Sequence, residues 1–394
     1  MKRLFIFIGA FLGVALVVFG TIFGLGWEAF ETVSKNRAGL AEGSEWVEKT
    51  YSLKGLTDYI GANPQHVSVV SFNVNDPDSG IFYNANTPRT MGALQNILLL
   101  IEYERQVEQG IINPNEQIPL SDLDVFVLPK MNETIHKTTL SHLNLSKTDD
   151  IKLDDLVAAI IQHNDLVMAD WLFFYLDRES PHFGWLWNDL LQELHTTGTH
   201  IPEPFIGTYI TIQQEEVGMV LDTTLSIYKA NAESYINNAD FRDKIYSAFK
   251  EDYIGLDFQQ ERDALRWFPK TTANDFANIM AQIQREEVIN SAASKRIKEK
   301  LSWANNSSTI KRSFTDYGAV YDNRMGVLSG IDFGTSIYDS HTSAQAVFFD
   351  SLQIAFWLHM SANHMQEDYQ QRLIWDPALF ETTLEAIEKG GADE

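Results

Sequence analysis

Strand-like segments stand at both ends of this chain with a long helical stretch between them, so one sheet has to be assembled from distant parts of the sequence around an insertion. Val67 to Val74 reads as a strand, Asn75-Asp76-Pro77-Asp78-Ser79-Gly80 as a turn, and Ile81-Phe82-Tyr83 as the return strand of a hairpin. A helix is expected from about Met91 to Gln109, ended by Gly110. Helical periodicity then dominates to about residue 302, with segments near 152–177, 184–195, 214–232, 240–249, 273–286 and 291–302. Ser313 to Tyr321, Arg324 to Phe333, Ala344 to Phe349 and Gln353 to Met360 read as strands, and Gln366 to Glu388 as one closing helix. The expected fold is therefore α/β in the α+β sense, an antiparallel sheet built from both ends with a helical subdomain over about 111–302 inserted.

Before this body, Leu4 to Leu25 runs without a charge, and at 1.5 Å per residue it spans roughly 33 Å, enough for the hydrocarbon core of a bilayer. Lys2 and Arg3 precede the run, Glu28 and Glu31 follow it, and Trp27 stands where an interfacial aromatic belongs. The positive-inside rule then gives a single-pass protein of the inner (cytoplasmic) membrane, with its N-terminus cytoplasmic and its C-terminal domain periplasmic or extracellular. A cleaved signal peptide is the competing reading, disfavoured because the run exceeds an ordinary h-region and no clean A-x-A site follows. The limits read from sequence are 1–27 for the anchor, 28–62 for a helical juxtamembrane segment closed by Asn63-Pro64, and 63–394 for the domain.

Composition removes several functions. The 54 acidic residues against 30 Lys plus Arg leave a formal charge of -24, so a phosphate backbone finds no basic surface and nucleic-acid binding is excluded. Cysteine is absent, which removes disulfides, thiol nucleophiles and thiolate metal sites. No H-E-x-x-H occurs, and His359 and His364 have no carboxylate between them at ligand spacing, so no metal is expected. Gly-rich phosphate loops are missing too, and neither a nucleotide nor any other cofactor is expected. The aromatic run Trp171, Phe173, Phe174, Tyr175, Trp185 and Trp187 reads as core of the helical subdomain more cheaply than as an interaction surface.

Local text over roughly residues 52–360 resembles the class A β-lactamase and penicillin-binding-protein serine hydrolases. Asn84-Ala85-Asn86, then Met91 to Tyr103, then Gly110 are similar to that family's strand, nucleophile helix and following glycine. Pro129 to His136 resembles a family loop, Ala159 to Leu172 the helix bearing the second motif, and Thr271 to Asp275 another helix start. The family's chemistry rests on S-x-x-K, S-D-N and K-T-G: a serine at a helix start attacks a carbonyl, a lysine one turn later helps remove its proton, a second serine relays a proton, and the third motif holds the substrate.

Matched residue by residue, the resemblance puts Ala93 at the serine position and Asn96 at the lysine position; sliding by one gives Gly92 and Gln95. Neither register supplies a nucleophile or a base. Asn164-Asp165-Leu166 stands against S-D-N with only the aspartate kept, a residue that is usually structural. Arg324-Met325-Gly326, followed by Gly330 and Gly334, is similar to K-T-G and implies a ligand-binding cleft on a strand; an edge strand with an exposed arginine is the plainer reading. Glu203-Pro204 resembles the Glu-Pro of the class A Ω-loop, although Ile201 to Pro204 also reads as a rigid loop.

The literal S-x-x-K at Ser308 to Lys311 lies in the wrong place topologically, and His163 reads as a hydrogen-bonded structural histidine. The N-terminal run and the resemblance together thus imply a membrane-anchored, extracytoplasmic serine-hydrolase homologue without acyl-transfer machinery, a binding or scaffold module whose partner is a cell-wall peptide or an envelope protein. Two alternatives stay open. One is an active serine hydrolase acting on a peptidoglycan-like or β-lactam-like amide, and the other a structural subunit of an envelope complex.

Overall fold

Val67, Ser68, Val69 and Val70 are all buried, which a strand achieves only when both faces of its sheet are covered. The computed structural model describes residue 32 and residues 34–179, 186–214, 227–251, 257–302 and 313–392. The expected anchor at 4–25, Trp185 and the Ser308 to Lys311 sequence lie outside the described residues. Among the described residues, no helix is long and apolar enough to cross a membrane.

Five strands form one antiparallel sheet: β1 (Val67–Asn73), β2 (Asp76–Tyr83), β3 (Phe314–Arg324), β4 (Val327–Ser336) and β5 (Thr342–Phe349), in the spatial order β2-β1-β5-β4-β3. The two chain ends meet where Val70 of β1 stands opposite Ala346 of β5. Successive side chains alternate between two cores. Val70, Phe72, Ile331, Phe333, Ala346 and Phe348 face the helical middle of the chain. Val67, Val69, Leu328, Val347 and Phe349 face the helices at its ends.

Among the described residues, the helices of eight or more residues are α1 (Leu53–Ala62), α2 (Asn96–Glu108), α3 (Glu133–His142), α4 (Leu153–His163), α5 (Leu166–Glu179), α6 (Leu186–Glu193), α7 (Phe205–Gln213), α8 (Ile227–Asn237), α9 (Ala239–Glu251), α10 (Ala273–Gln284), α11 (Ser291–Leu301), α12 (Ile354–Ala362), α13 (Met365–Trp375) and α14 (Pro377–Ala392). Phe173, Tyr175 and Trp187 are buried and Trp171 and Phe174 pack against the same core, as the plainer reading of that aromatic run expects.

Several boundaries differ from the sequence expectation, each for a local reason. Ile354 to Met360 is not a strand but most of α12, whose Phe356 and Met360 are one turn apart in the same core; a short run that is apolar but for His359 suits either structure. The closing helix is two, because Asp376 accepts the amides of Ala378 and Leu379 and Pro377 opens α14. The stretch 152–177 breaks at Asn164, whose φ is +53°. The helix expected from Met91 begins at Asn96, after a 3-10 turn over Gly92–Gln95. Arg324-Met325-Gly326 does not start a strand: Arg324 ends β3 opposite Val327, and Met325-Gly326 makes the hairpin turn, Gly326 taking a φ of +76°. Helix α7 was not foreseen after the Pro202-Glu203-Pro204 loop; every residue from Phe205 to Ile212 is buried, so it shows no amphipathic stripe.

Candidate functional site

The turn over Gly92–Gln95, the α4–α5 junction and the end of β3 converge on one point. The Ala93 amide donates to Asp322 Oδ2 at 2.8 Å, and Arg324 Nε reaches the same oxygen at 2.8 Å. Asn164 Nδ2 donates to Asp322 Oδ1 at 3.3 Å, and Asn96 Nδ2 donates to Asn164 Oδ1 at 3.3 Å. The positions that the family resemblance marks as nucleophile, base and second-motif serine are therefore brought together, occupied by Ala93, Asn96 and Asn164. Ala93 is fully buried and Asp322 is 3% exposed.

Each member is held by its own element. Asn164 occupies the left-handed region between α4 and α5, a conformation asparagine tolerates better than most residues. Asp322 and Arg324 are two apart on β3 and so share a face. Arg324 is not the exposed arginine of the plainer reading. Its side chain is 8% exposed, its Nη1 donates to the Tyr209 hydroxyl at 2.6 Å, and its guanidinium lies 5.2 Å from the Phe205 ring centre and 5.3 Å from that of Phe268. Burial pulls this guanidinium down, but Asp322 and Tyr209 outweigh it and hold Arg324 above its ordinary value. Burial likewise pushes the Glu261 carboxyl up to about 7, against the opposing pull of Arg324.

The loop before α7 is clamped to the same turn. Gln95 Nε2 donates to the Glu203 carbonyl and Gln95 Oε1 accepts the Glu203 amide, both at 3.0 Å. Asp170 takes the amides of Phe205 and Ile206 at 2.6 and 2.9 Å and thereby caps α7. Burial pushes that carboxyl up to about 8, against those two amides. Burial, followed by the Glu203 charge, pushes the Tyr228 hydroxyl up to about 12.

Other marked residues do structural work. Asp165 Oδ1 accepts the amides of Val167 and Met168 at the start of α5, and its Oδ2 meets His136 Nδ1 at 2.8 Å, so it ties α3 to α5. Leu166 is core. His163, expected to be hydrogen-bonded, makes no side-chain hydrogen bond among the described residues; it lies beside the His142 ring, centres 5.4 Å apart, and burial, then His142, lower its pKa. Met325 and Gly326 serve the hairpin turn.

Among the described residues, the hydrogen-bonded group around Asp322 contains no serine, lysine or histidine. A hydroxyl and a lysine do meet nearby, where Lys270 Nζ donates to Thr90 Oγ1 at 2.7 Å and Thr90 Oγ1 donates to Asp350 at 3.0 Å, but Thr90 is fully buried and its hydroxyl is out of reach of a substrate. Sequence reasoning missed Asp322. Its place two residues before Arg324 on a strand was the available signal.

The β-lactamase enzyme family matches residues 53–353. No curated protein matches the chain. Among solved structures, a β-lactamase from Sphaerobacter thermophilus DSM 20745 superposes with a TM-score of 0.51 at 13% identity, over 82% of this chain and 98% of that one. A β-lactamase from Chitinophaga pinensis DSM 2588 gives 0.49 at 14%, over 83% and 99%. PBP-A gives 0.48 at 9%, over 81% and 97%. Identities this low speak to fold alone. On the extent of the family match, with the two-ended sheet and its inserted helices in agreement, the chain belongs to the β-lactamase enzyme family.

Proposed function

We propose that this chain is a catalytically silent member of its family, a binding or scaffold module held at the outer face of the cytoplasmic membrane by residues 4–25, with a cell-wall peptide or an envelope protein as its partner. The observation that carries the reading is the Ala93–Asp322 bond. Acyl transfer needs a nucleophile, a base to take its proton, and free donors for the developing oxyanion. Ala93 has no nucleophilic atom, Asn96 has no basic one, and the amide of residue 93 is already spent on an internal carboxylate. Losing either the nucleophile or the base alone removes most of the rate in enzymes where the two act as a unit.

The test is labelling of the full-length protein with a fluorescent penicillin, followed by mass spectrometry. No acyl adduct is expected at any serine, and a stable adduct would overturn the reading.

A further inference from the structure

Three donors from separate parts of the chain meet on one carboxylate, and each is also held by contacts other than Asp322. The Ala93 amide lies in the turn entering α2, Asn164 sits at the α4–α5 junction and takes a bond from Asn96, and Arg324 is held by the Tyr209 hydroxyl and the rings of Phe205 and Phe268. Gly92 makes room for the acceptor: its φ is +54°, and a Cβ built there would stand 2.1 Å from Asp322 Oδ2. Asn96, 1% exposed and bonded to Asn164, keeps a buried Oδ1 with no hydrogen-bond partner among the described residues.

Such a cradle is specific for a carboxylate. One oxygen takes two donors, a backbone amide and a guanidinium, while the other takes a side-chain amide. With Asp322 in place the Arg324 charge is neutralised at contact distance, and Glu261 and Asp170 stand within its field, so a second anion gains little there. With the Asp322 carboxylate removed, the same donors surround a desolvated space of formate size and the cation loses its closest counter-charge.

We propose that this cradle is a carboxylate-binding site which the chain fills with its own Asp322, so that a ligand's carboxylate enters only by displacing that side chain. The inference rests on the reading of the cleft as a binding site without chemistry, and the two fail separately. A penicillin adduct on the wild type would remove the functional reading without touching the binding result below.

The experiment compares full-length wild type, Asp322→Ala and Asp322→Asn in detergent. Formate is the probe, with chloride at equal ionic strength as control, read by calorimetric titration and by thermal melting. Asp322→Ala is expected to bind formate at least tenfold more tightly than the wild type and to regain melting temperature saturably with formate. Asp322→Asn, which refills the space, should bind no better than the wild type. A folded Asp322→Ala protein that binds formate no better than the wild type, or that answers equally to chloride, overturns the proposal. Should Asp322→Ala fail to fold unaided, refolding from urea replaces the titration: recovery favoured by formate supports the proposal, and a yield no better in formate than in chloride overturns it.

Discussion

Gly390 packs so closely on Gly61 that a Cβ built on it would stand 1.9 Å from the Gly61 carbonyl oxygen, and a Cβ on Gly61 would stand 2.2 Å from the carbonyl oxygen of Ala386. Helices α1 and α14, far apart in sequence, thus touch backbone to backbone over the end-helix face of the sheet. The β1–β5 pairing and this helix pair fasten the two chain ends together twice, leaving the opposite face to carry the inserted helices and the buried Asp322 group.

Gly61→Ala therefore forces α1 and α14 apart. Overpacking a close contact costs about 1–3 kcal/mol, and here the obstacle is backbone rather than a side chain able to turn away. Urea unfolding should show a lower midpoint at unchanged slope. A midpoint within error of wild type would mean that the helix pair yields without cost.

Arg324→Ala leaves Asp322 as a buried carboxylate without its cation, and breaking a buried pair in this way costs about 3–5 kcal/mol. Much of that penalty belongs to the stranded charge, so Asp322→Ala/Arg324→Ala should lose less than the sum of the single variants. Strict additivity in a double-mutant cycle would show that the two residues are not coupled.

Acidity should act through Asp332, a fully buried residue of β4 that accepts the Tyr321 hydroxyl at 3.0 Å. Burial pushes its carboxyl up to about 7, against the bonds from Tyr321 and Gln370. The unfolded chain gives up this proton near pH 4. Between those values the native state holds more protons, so this group makes stability fall as pH rises from about 4 to about 7, with no change outside that window. Glu102 and Glu261, each raised to about 7 chiefly by burial, tilt the same way. The difference between wild type and Asp332→Asn therefore isolates the effect: unfolding free energies at pH 5 and pH 7.5 should differ less in the variant. An equal slope in both proteins would take Asp332 out of the account.

The outline of the fold was legible because it is written in periodicities: Val67 to Asn73, Ile81 to Tyr83 and most of 314–349 formed sheet, whereas the turn expected over Asn75 to Gly80 is confined to Val74-Asn75, with Asp76 to Gly80 already part of β2. What failed was local. Ile354 to Met360 carries no period that separates helix from strand, and Phe205 to Ile212 is buried on every side, so neither announces its structure. Around the cleft, the loss of serine and lysine at Ala93 and Asn96 could be read by position, but their replacement by an internal carboxylate could not. Asp322 reaches Ala93 only after a hairpin folds back across more than two hundred residues, a contact that one sequence does not encode in any spacing.

The proposed anchor gives the last prediction. As a helix, Leu4 to Leu25 would be long enough to span a bilayer, and under the positive-inside rule Lys2 and Arg3 on one side against Glu28 and Glu31 on the other give the orientation proposed above. Full-length protein should remain in the membrane fraction after an alkaline carbonate wash, while a chain lacking residues 1–27 should be released. Protease added to the outside of spheroplasts should digest the domain and spare the first few residues. Intact mass decides between an anchor and a cleaved signal, since cleavage would remove the N-terminal segment from the mature protein. Reversing the flanking charge with Lys2→Glu and Arg3→Glu should lower the fraction of domain exposed outside, because the positive end is what the cytoplasm retains. A domain equally exposed in that variant would show that orientation is set elsewhere in the chain.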